Sequence, residues 1–190
     1  LLARHGEGAT IVTVSDFNRR FLVEECGFDP RRVVRIYNGL ELDRFPHQLP
    51  VDRPRRIVAV GRLVEKKGFD DLIEACGVLE ERGRDFECLI VGQGPLGDSL
   101  ARRVAALGLG DRIRLLGARP QEETRRILAT AAVFAAPCRI AEDGDRDGVP
   151  TTLLEALALG VPSISTDVTG IPEVIVDGET GMIVPERDPK

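Results

Sequence analysis

From Arg56 to the end of the chain, short runs of β-branched and aliphatic residues alternate with longer stretches whose apolar positions recur every three or four residues. The short runs predict strands at 57–60, 86–91, 112–116, 133–136, 162–165 and 182–184. Between them, 67–83 carries Phe69, Leu72, Ile73, Cys76 and Leu79 at helical spacing. The stretch 95–108 repeats the pattern with Leu96, Leu100, Val104 and Leu107, and Pro95 is expected at its first helical position. Segments 121–132 and 150–160 read as helices too, the second left through Gly160. Strands this continuously apolar suit a parallel sheet covered on both faces. The order βαβαβαβαβ therefore predicts an α/β fold, a Rossmann-like doubly wound parallel sheet with right-handed crossovers.

The first fifty residues join this alternation less cleanly. They read as a strand at 9–14, a helix at 17–26 and a strand at 33–37, followed by an open stretch holding Pro46, Pro50 and Pro54. Residues 1–50 are accordingly expected to be the tail of a preceding domain plus a linker, and 51–190 a domain of their own. No internal repeat or low-complexity tract interrupts the pattern.

Composition narrows the chemistry. The 190 residues carry 26 Lys+Arg against 31 Asp+Glu, a net charge of −5, so no global field favours nucleic acid or an anionic membrane. Aromatics make up 4% with no Trp, which argues against a base-stacking platform. No apolar run is long enough to span a membrane, and the amino end lacks the apolar stretch of a signal peptide. Cys26, Cys76, Cys88 and Cys138 are not at metal-binding spacing, and His5 and His47 stand apart from them, so neither a zinc site nor any other metal is expected. Unpaired cysteines suit a reducing cytoplasm, with Cys76 and Cys88 as core thiols. No imidazole base is available beyond His47.

Three loops could carry chemistry. Gly92-Gln93-Gly94-Pro95-Leu96-Gly97 has the spacing of a dinucleotide fingerprint, but the following strand ends in Leu116-Gly117-Ala118-Arg119 with no carboxylate for a ribose. A tight turn whose glycines permit close packing is the plainer reading. Asp143-Gly144-Asp145-Arg146-Asp147-Gly148 begins like a calcium loop, yet its twelfth position is Leu154 and Pro150 interrupts it. The same acidic stretch, read differently, opens a helix at Pro150 whose free N–H groups make an anion site, with Asp147 outside the entrance and Glu155 one to two turns in.

What tilts the balance is Gly61-Arg62-Leu63-Val64-Glu65-Lys66-Lys67-Gly68, which links the first main strand to its helix. Only three of the basic residues are lysines, and two stand in this turn. Ligands of α/β sheets bind outside the strand carboxyl ends, where this turn and the Pro150 entrance both belong. A guanidinium, an ammonium and a helix N-terminus can cradle a diphosphate without a metal. Against this stands a solvated charged turn, which accounts for Glu65 and Lys66 but less well for the flanking glycines.

These motifs resemble the large retaining glycosyltransferase family 4, in its order and spacing. The resemblance rests on Gly61-Arg62-x4-Lys67-Gly68, Val91-Gly92-x-Gly94-Pro95 and Asp147-Gly148-x-Pro150-x4-Glu155-Ala156. It extends to Asn38-Gly39 with Phe45, to Gly160-Val161-Pro162, to Thr169-Gly170-Ile171-Pro172-Glu173 and to Gly178-x-x-Gly181. The resemblance implies one half of a GT-B fold, its carboxyl-terminal nucleotide-sugar domain, transferring a hexosyl group with retention from a UDP- or GDP-sugar without cofactor or metal. It implies Arg62 and Lys67 on the donor diphosphate, and Asp147 and Glu155 as the paired acids, the first facing the sugar and the second the ribose. Asp147 stands where the family pattern has glutamate, one methylene longer, which keeps a non-catalytic nucleotide-sugar module open as an alternative; a nicotinamide-dependent oxidoreductase is the other. Donor contacts are expected from Gly61, Gly94, Gly148, Val149, Pro150, Thr151 and Thr152, with Arg119, Cys138 and Arg139 bordering the base. The acceptor, a saccharide, lipid or small metabolite, is expected to bind mostly to an amino-terminal domain, so this stretch alone is expected to transfer little. A cytoplasmic location, peripheral association with the inner membrane face left open, completes the expectation.

Overall fold

The computed structural model describes residues 9–46 and 53–190. His5, His47 and Pro50 lie outside the described residues. Six parallel strands form the main sheet: β3 (Arg56–Val60), β4 (Glu87–Val91), β5 (Ile113–Gly117), β6 (Val133–Ala136), β7 (Ser163–Thr166) and β8 (Gly181–Val184). Their spatial order is β5-β4-β3-β6-β7-β8, so the chain winds outward from β3, returns to its other side at β6, and winds outward again. That reversal between β3 and β6 is the switch point at which sheets of this kind open a crevice.

Helices α2 (Phe69–Glu81), α3 (Gly97–Ala106), α4 (Gln121–Ala129) and α5 (Thr151–Ala158) fill the crossovers. Alternate strand residues divide between two cores, as the pleat requires. Ala59, Cys88, Ile90 and Ala135 face α2 and α3, packing with Phe69, Ile73, Cys76, Leu100 and Val104. Val58, Leu89, Phe134 and Ala136 face α4 and α5, packing with Leu128, Leu153, Ala156 and Leu159. Gly160, at a positive φ, lets α5 stop, and its neighbour's N–H (Val161) donates back to the Ala156 carbonyl.

Two of the boundaries that differ from the sequence expectation have a plain structural reason. Pro95 is not in the first turn of α3, which starts at Gly97, because the Leu96 N–H is taken by the Leu63 carbonyl at 3.1 Å. Lys67 precedes α2 rather than opening it. It ends a 3₁₀ turn, Glu65–Lys67, and Gly68 at φ 62° then separates that turn from the helix.

The amino-side segment is separate from the main sheet. Strands β1 (Ile11–Thr13) and β2 (Val33–Arg35) pair in parallel with each other across α1 (Asp16–Glu24). This unit reaches the main body through the first turn of α1. The Glu173 carboxylate accepts hydrogen bonds from the N–H groups of Asp16 and Phe17, both at 2.8 Å, and from the Tyr37 hydroxyl at 3.1 Å. Gly170 is close enough that a Cβ there would lie 2.7 Å from Ser15 Cβ.

Candidate functional site

At the carboxyl ends of β3, β4 and β5 the loops surround a cleft of about 680 Å³, lined by residues 60–62 and 91–94 with Ala118, Arg119 and Thr124. Two of the three glycines in the Gly92–Gly97 loop make it possible. A Cβ on Gly92, at φ 147°, would lie 1.8 Å from the Gly61 carbonyl oxygen, and one on Gly94 would lie 2.4 Å from that of Leu63. The two loops zip together: Gly61 N–H donates to the Val91 carbonyl and Leu63 N–H to that of Gln93, each at 3.0 Å. The plainer sequence reading, glycines for close packing, is therefore what the backbone does. The calcium reading fails on its scaffold, since β6 stands where the motif needs a helix. Among the described residues no group of three or more His, Cys, Asp or Glu is placed to hold a metal ion.

Arg62 lines this cleft, exposed and without an ion-pair partner among the described residues. Lys67 folds back over Gly61, where a Cβ would lie 3.2 Å from Lys67 Cε. Its Nζ lies 2.7 Å from Asp147 Oδ2, and the pair is mostly shielded, with side chains 16% and 15% exposed. Helix α5 enters beside them. The Thr152 hydroxyl reaches the Val60 carbonyl at 3.5 Å, tying the α5 entrance to the end of β3. The N–H groups of Thr151 and Thr152 find no acceptor among the described residues, as expected for a first turn. Arg62, Lys67, Asp147 and the Pro150 entrance thus share one side of the molecule.

The Asp147 loop is held from several directions. The Thr169 side chain donates to the carbonyls of Asp147 and Gly148. Gly148 sits against α1, where a Cβ would lie 3.2 Å from Asn18 Nδ2. The Arg146 guanidinium lies over the rings of Phe17 and Phe21, at 5.5 and 5.2 Å. Val149 and Pro150 are buried at the entrance to α5.

Cys138 and Arg139, expected to border a base, do not line the cleft. Cys138 lies beneath the acid, its Sγ 3.5 Å from Asp147 Oδ2. Burial first, and then the neighbouring Asp147 charge, push this thiol up to about 12, so it stays protonated and able to donate. Arg139 is buried. Its side chain, 8% exposed, donates from Nη1 to Asp70 and Asp71 at 2.9 and 3.0 Å. The acid-rich first turn of α2 draws it inward, away from the cleft. Its own N–H donates to the Lys66 carbonyl, and the Pro137 carbonyl lies under Gly68, so 137–139 braces the lysine turn.

Glu155 is half-buried on α5, and its carboxylate makes no hydrogen bond among the described residues. Burial raises its pKa, more than the Arg125 charge lowers it. Arg119 lies at the cleft's edge, loosely paired with Glu123 at 3.5 Å.

Lys66 is the residue that sequence reasoning undervalued. It is not a solvated member of a charged turn: Nζ donates to Asp145 at 3.0 Å and lies 3.7 Å from Asp147 Oδ1. Burial alone would lower its pKa, but the two carboxylates together hold it above the ordinary lysine value. The scarcity of lysine was the available signal. Gln93, Ala118 and Thr124 also line the cleft with no sequence feature to announce them.

Comparison with known proteins supplies the context. The family model described as "Glycosyl transferases group 1" matches residues 54–190. The amylovoran biosynthesis glycosyltransferase AmsK of Erwinia amylovora is 38% identical over 174 residues, covering 90% of this chain and 42% of that protein. A GDP-mannose-dependent alpha-(1-6)-phosphatidylinositol monomannoside mannosyltransferase of Mycolicibacterium smegmatis is 36% identical over 202 residues, 98% of this chain and 52% of its own length. The chain spans about half, or less, of the curated relatives it matches. Among solved structures, a glycosyltransferase from Rickettsia africae superposes with a TM-score of 0.81 at 23% identity, over 96% of this chain and 51% of that one. Anabaena Alr3699/HepE in complex with UDP superposes at 0.80 and 19% identity, over 95% and 51%. At such identities these neighbours speak to fold alone, and the expected fold class, a doubly wound parallel sheet forming one half of a GT-B fold, stands.

Proposed function

The chain belongs to the group 1 glycosyl transferases, and from that premise we propose that it forms the donor-binding half of a retaining enzyme. The enzyme transfers a hexosyl group from a nucleoside-diphosphate sugar to an acceptor hydroxyl. The observation that carries this reading is the convergence of Arg62, Lys67 and the open first turn of α5 beside the cleft at the carboxyl ends of β3, β4 and β5. A diphosphate needs fixed positive charge and donors at one place, and needs them most as it leaves with the bonding electrons. The guanidinium fork and ammonium meet the bridging and terminal oxygens, and the Thr151 and Thr152 N–H groups add oriented donors.

In this arrangement the ribose and base lie in the cleft along residues 91–94 and beside Ala118 and Arg119. Asp147 faces the sugar and Glu155 the ribose hydroxyls. Loss of the diphosphate leaves an anomeric centre attacked from the same face, with a leaving phosphate oxygen taking the acceptor's proton. No imidazole is needed for that route. One structural neighbour holds UDP and one relative is GDP-mannose-dependent, which supports a nucleoside-diphosphate donor without choosing its base. Residues 1–50 are read as the end of an acceptor-side domain and its linker, and the acceptor is read as a saccharide, lipid or small metabolite. Relatives that act in amylovoran biosynthesis and on a phosphatidylinositol monomannoside favour a lipid-linked or saccharide acceptor. No bound metal is required in this reading.

Calorimetric titration with UDP and GDP in the presence of EDTA, repeated on Arg62→Ala and Lys67→Ala, tests the proposal. One of the two nucleotides is expected to bind without metal and to lose at least ten-fold in affinity with either substitution. Absence of binding by both, or binding indifferent to both substitutions, overturns it. Tight NAD binding in their place returns the oxidoreductase reading. Transfer or donor hydrolysis by Glu155→Ala at the wild-type rate removes the role given to Glu155.

A further inference from the structure

In the free protein the cation meant for a diphosphate is already occupied. Lys67 Nζ is 2.7 Å from Asp147 Oδ2, and Lys66 Nζ approaches the other carboxylate oxygen at 3.7 Å. Cys138 Sγ lies 3.5 Å from Oδ2, so the carboxylate is gripped by two ammonium groups and a thiol. None of the four side chains is more than a quarter exposed, with Asp147 at 15%, Lys67 at 16%, Lys66 at 23% and the whole of Cys138 at 1%. Water therefore screens these charges poorly. The carboxylate holds on Lys67 the place that an incoming phosphate oxygen must take.

Resting on the function proposed above, we infer that Asp147 is an internal competitor for Lys67, and that this competition makes the site prefer a nucleoside-diphosphate sugar to the bare nucleoside diphosphate. When a phosphate oxygen docks on Lys67, the displaced or shared carboxylate faces a second anion across a shielded gap. A donor carrying its sugar supplies hydroxyls that donate to the Asp147 carboxylate and compensate what it loses from Lys67. A nucleoside diphosphate supplies none, and its terminal phosphate bears more negative charge than the esterified one. The penalty of weakening a shielded carboxylate's closest ion pair, which Lys66 and Cys138 offset only in part, therefore falls on the product more than on the donor. The loop is built to hold the acid there: Thr169 fixes the Asp147 and Gly148 carbonyls and Arg146 stacks on Phe17 and Phe21. A short aspartate so held cannot swing far from Lys67, so ligand hydroxyls must come to it. The consequence is weak product inhibition: once the sugar has left, the carboxylate reclaims Lys67 and helps to expel the diphosphate.

The experiment compares binding of UDP, GDP, UDP-glucose and GDP-mannose to wild-type protein, Asp147→Asn and Asp147→Glu by calorimetry, using the pair that wild type binds. Thermal melts establish that each variant is folded, and Lys67→Ala is measured alongside. Asp147→Asn is expected to bind the bare diphosphate at least ten-fold more tightly while its affinity for the sugar-bearing form changes less. The preference for donor over product then falls at least five-fold. Asp147→Glu, which retains the competing charge, is expected to keep the preference within three-fold of wild type. If the diphosphate binds wild type through Lys67 but Asp147→Asn leaves that affinity unchanged or weaker, the competitor role is wrong and the donor site stands. If neither diphosphate binds wild type, or Lys67→Ala has no effect, the donor-site reading fails and takes this inference with it.

Discussion

Arg62 and Lys67 are assigned one task, yet the structure gives them different second lives, and that difference can be measured. Arg62 is exposed and its side chain makes no ion pair or hydrogen bond among the described residues, so Arg62→Ala removes a cation without breaking a polar contact. Surface changes of this kind stay within about 0.5 kcal/mol, a melting shift of roughly 2 °C or less for a chain this long. Lys67→Ala removes the partner of a shielded carboxylate 2.7 Å away. Breaking a fully buried pair costs about 3–5 kcal/mol. Here Lys66 stands 3.7 Å from the same carboxylate and takes over part of the compensation. A cost of about 1–2 kcal/mol follows, and hence a fall of roughly 2–8 °C. For the diphosphate, each substitution deletes a charge-assisted hydrogen bond of about 1.5–3 kcal/mol, or roughly 10- to 150-fold in affinity. Lys67→Ala belongs at the weaker-binding end, because it also leaves Asp147 facing the phosphate. The assays are scanning calorimetry and nucleotide titration on both variants, with Lys67→Ala/Asp147→Asn as a third. The double substitution should recover most of the lost melting temperature, since the stranded charge is gone. Equal melting shifts for the two single variants, or a double variant no more stable than Lys67→Ala, would refute the argument that the ion pair is shielded and coupled.

Four further substitutions have expected outcomes of their own. Gly92→Ala should destabilise by about 3 kcal/mol or more, because its Cβ meets the Gly61 carbonyl oxygen at 1.8 Å from a φ of 147°. Gly97→Ala, in the same motif, meets only Leu63 Cδ1 at 3.7 Å and should be neutral or stabilising by about 0.5 kcal/mol in chemical denaturation. At Glu173, burial alone would raise the pKa, but the N–H groups of Asp16 and Phe17, the Tyr37 hydroxyl and Arg35 together hold it below the usual carboxylate range. Its contribution is therefore present at neutral pH and lost as the pH falls through that lowered value. Glu173→Gln should cut the hydrogen-exchange protection of the Asp16 and Phe17 amides while leaving that of the β3 and β4 strands unchanged. For Glu155 the sign is opposite. Burial raises its pKa, so ionising it in the folded state costs stability as the pH climbs from the unfolded value near 4.3. Glu155→Gln should melt higher than wild type at pH 7, with the gap closing at pH 4. A gap that widens on acidification would reverse that sign.

The sheet was readable because its signal is local. Continuous apolar runs such as those around Val58, Leu89 and Phe134 mark strands buried on both faces, and the intervening 3.6-residue stripes mark the helices that cover them. Where the expectation slipped, a distant backbone intervened: Leu63 takes the Leu96 N–H and delays α3 past Pro95. Arg139 slipped for a related reason. Nothing beside it in the chain indicates that Asp70 and Asp71, nearly seventy residues earlier, will form the turn that draws it inward.

What the chain determined alone is the alternation of elements, the glycines that let two loops touch, and the rare lysine pair set between them. Each depends on periodicity, on φ, or on residue type, which are properties of short segments. Only the folded structure decided that Lys67 meets Asp147, that Cys138 stands beneath that acid, and that the first turn of α1 is capped by Glu173. Those meetings depend on how the crossover between β3 and β6 and the loops beyond it bring together residues from distant parts of the chain, and on burial there making their charges count.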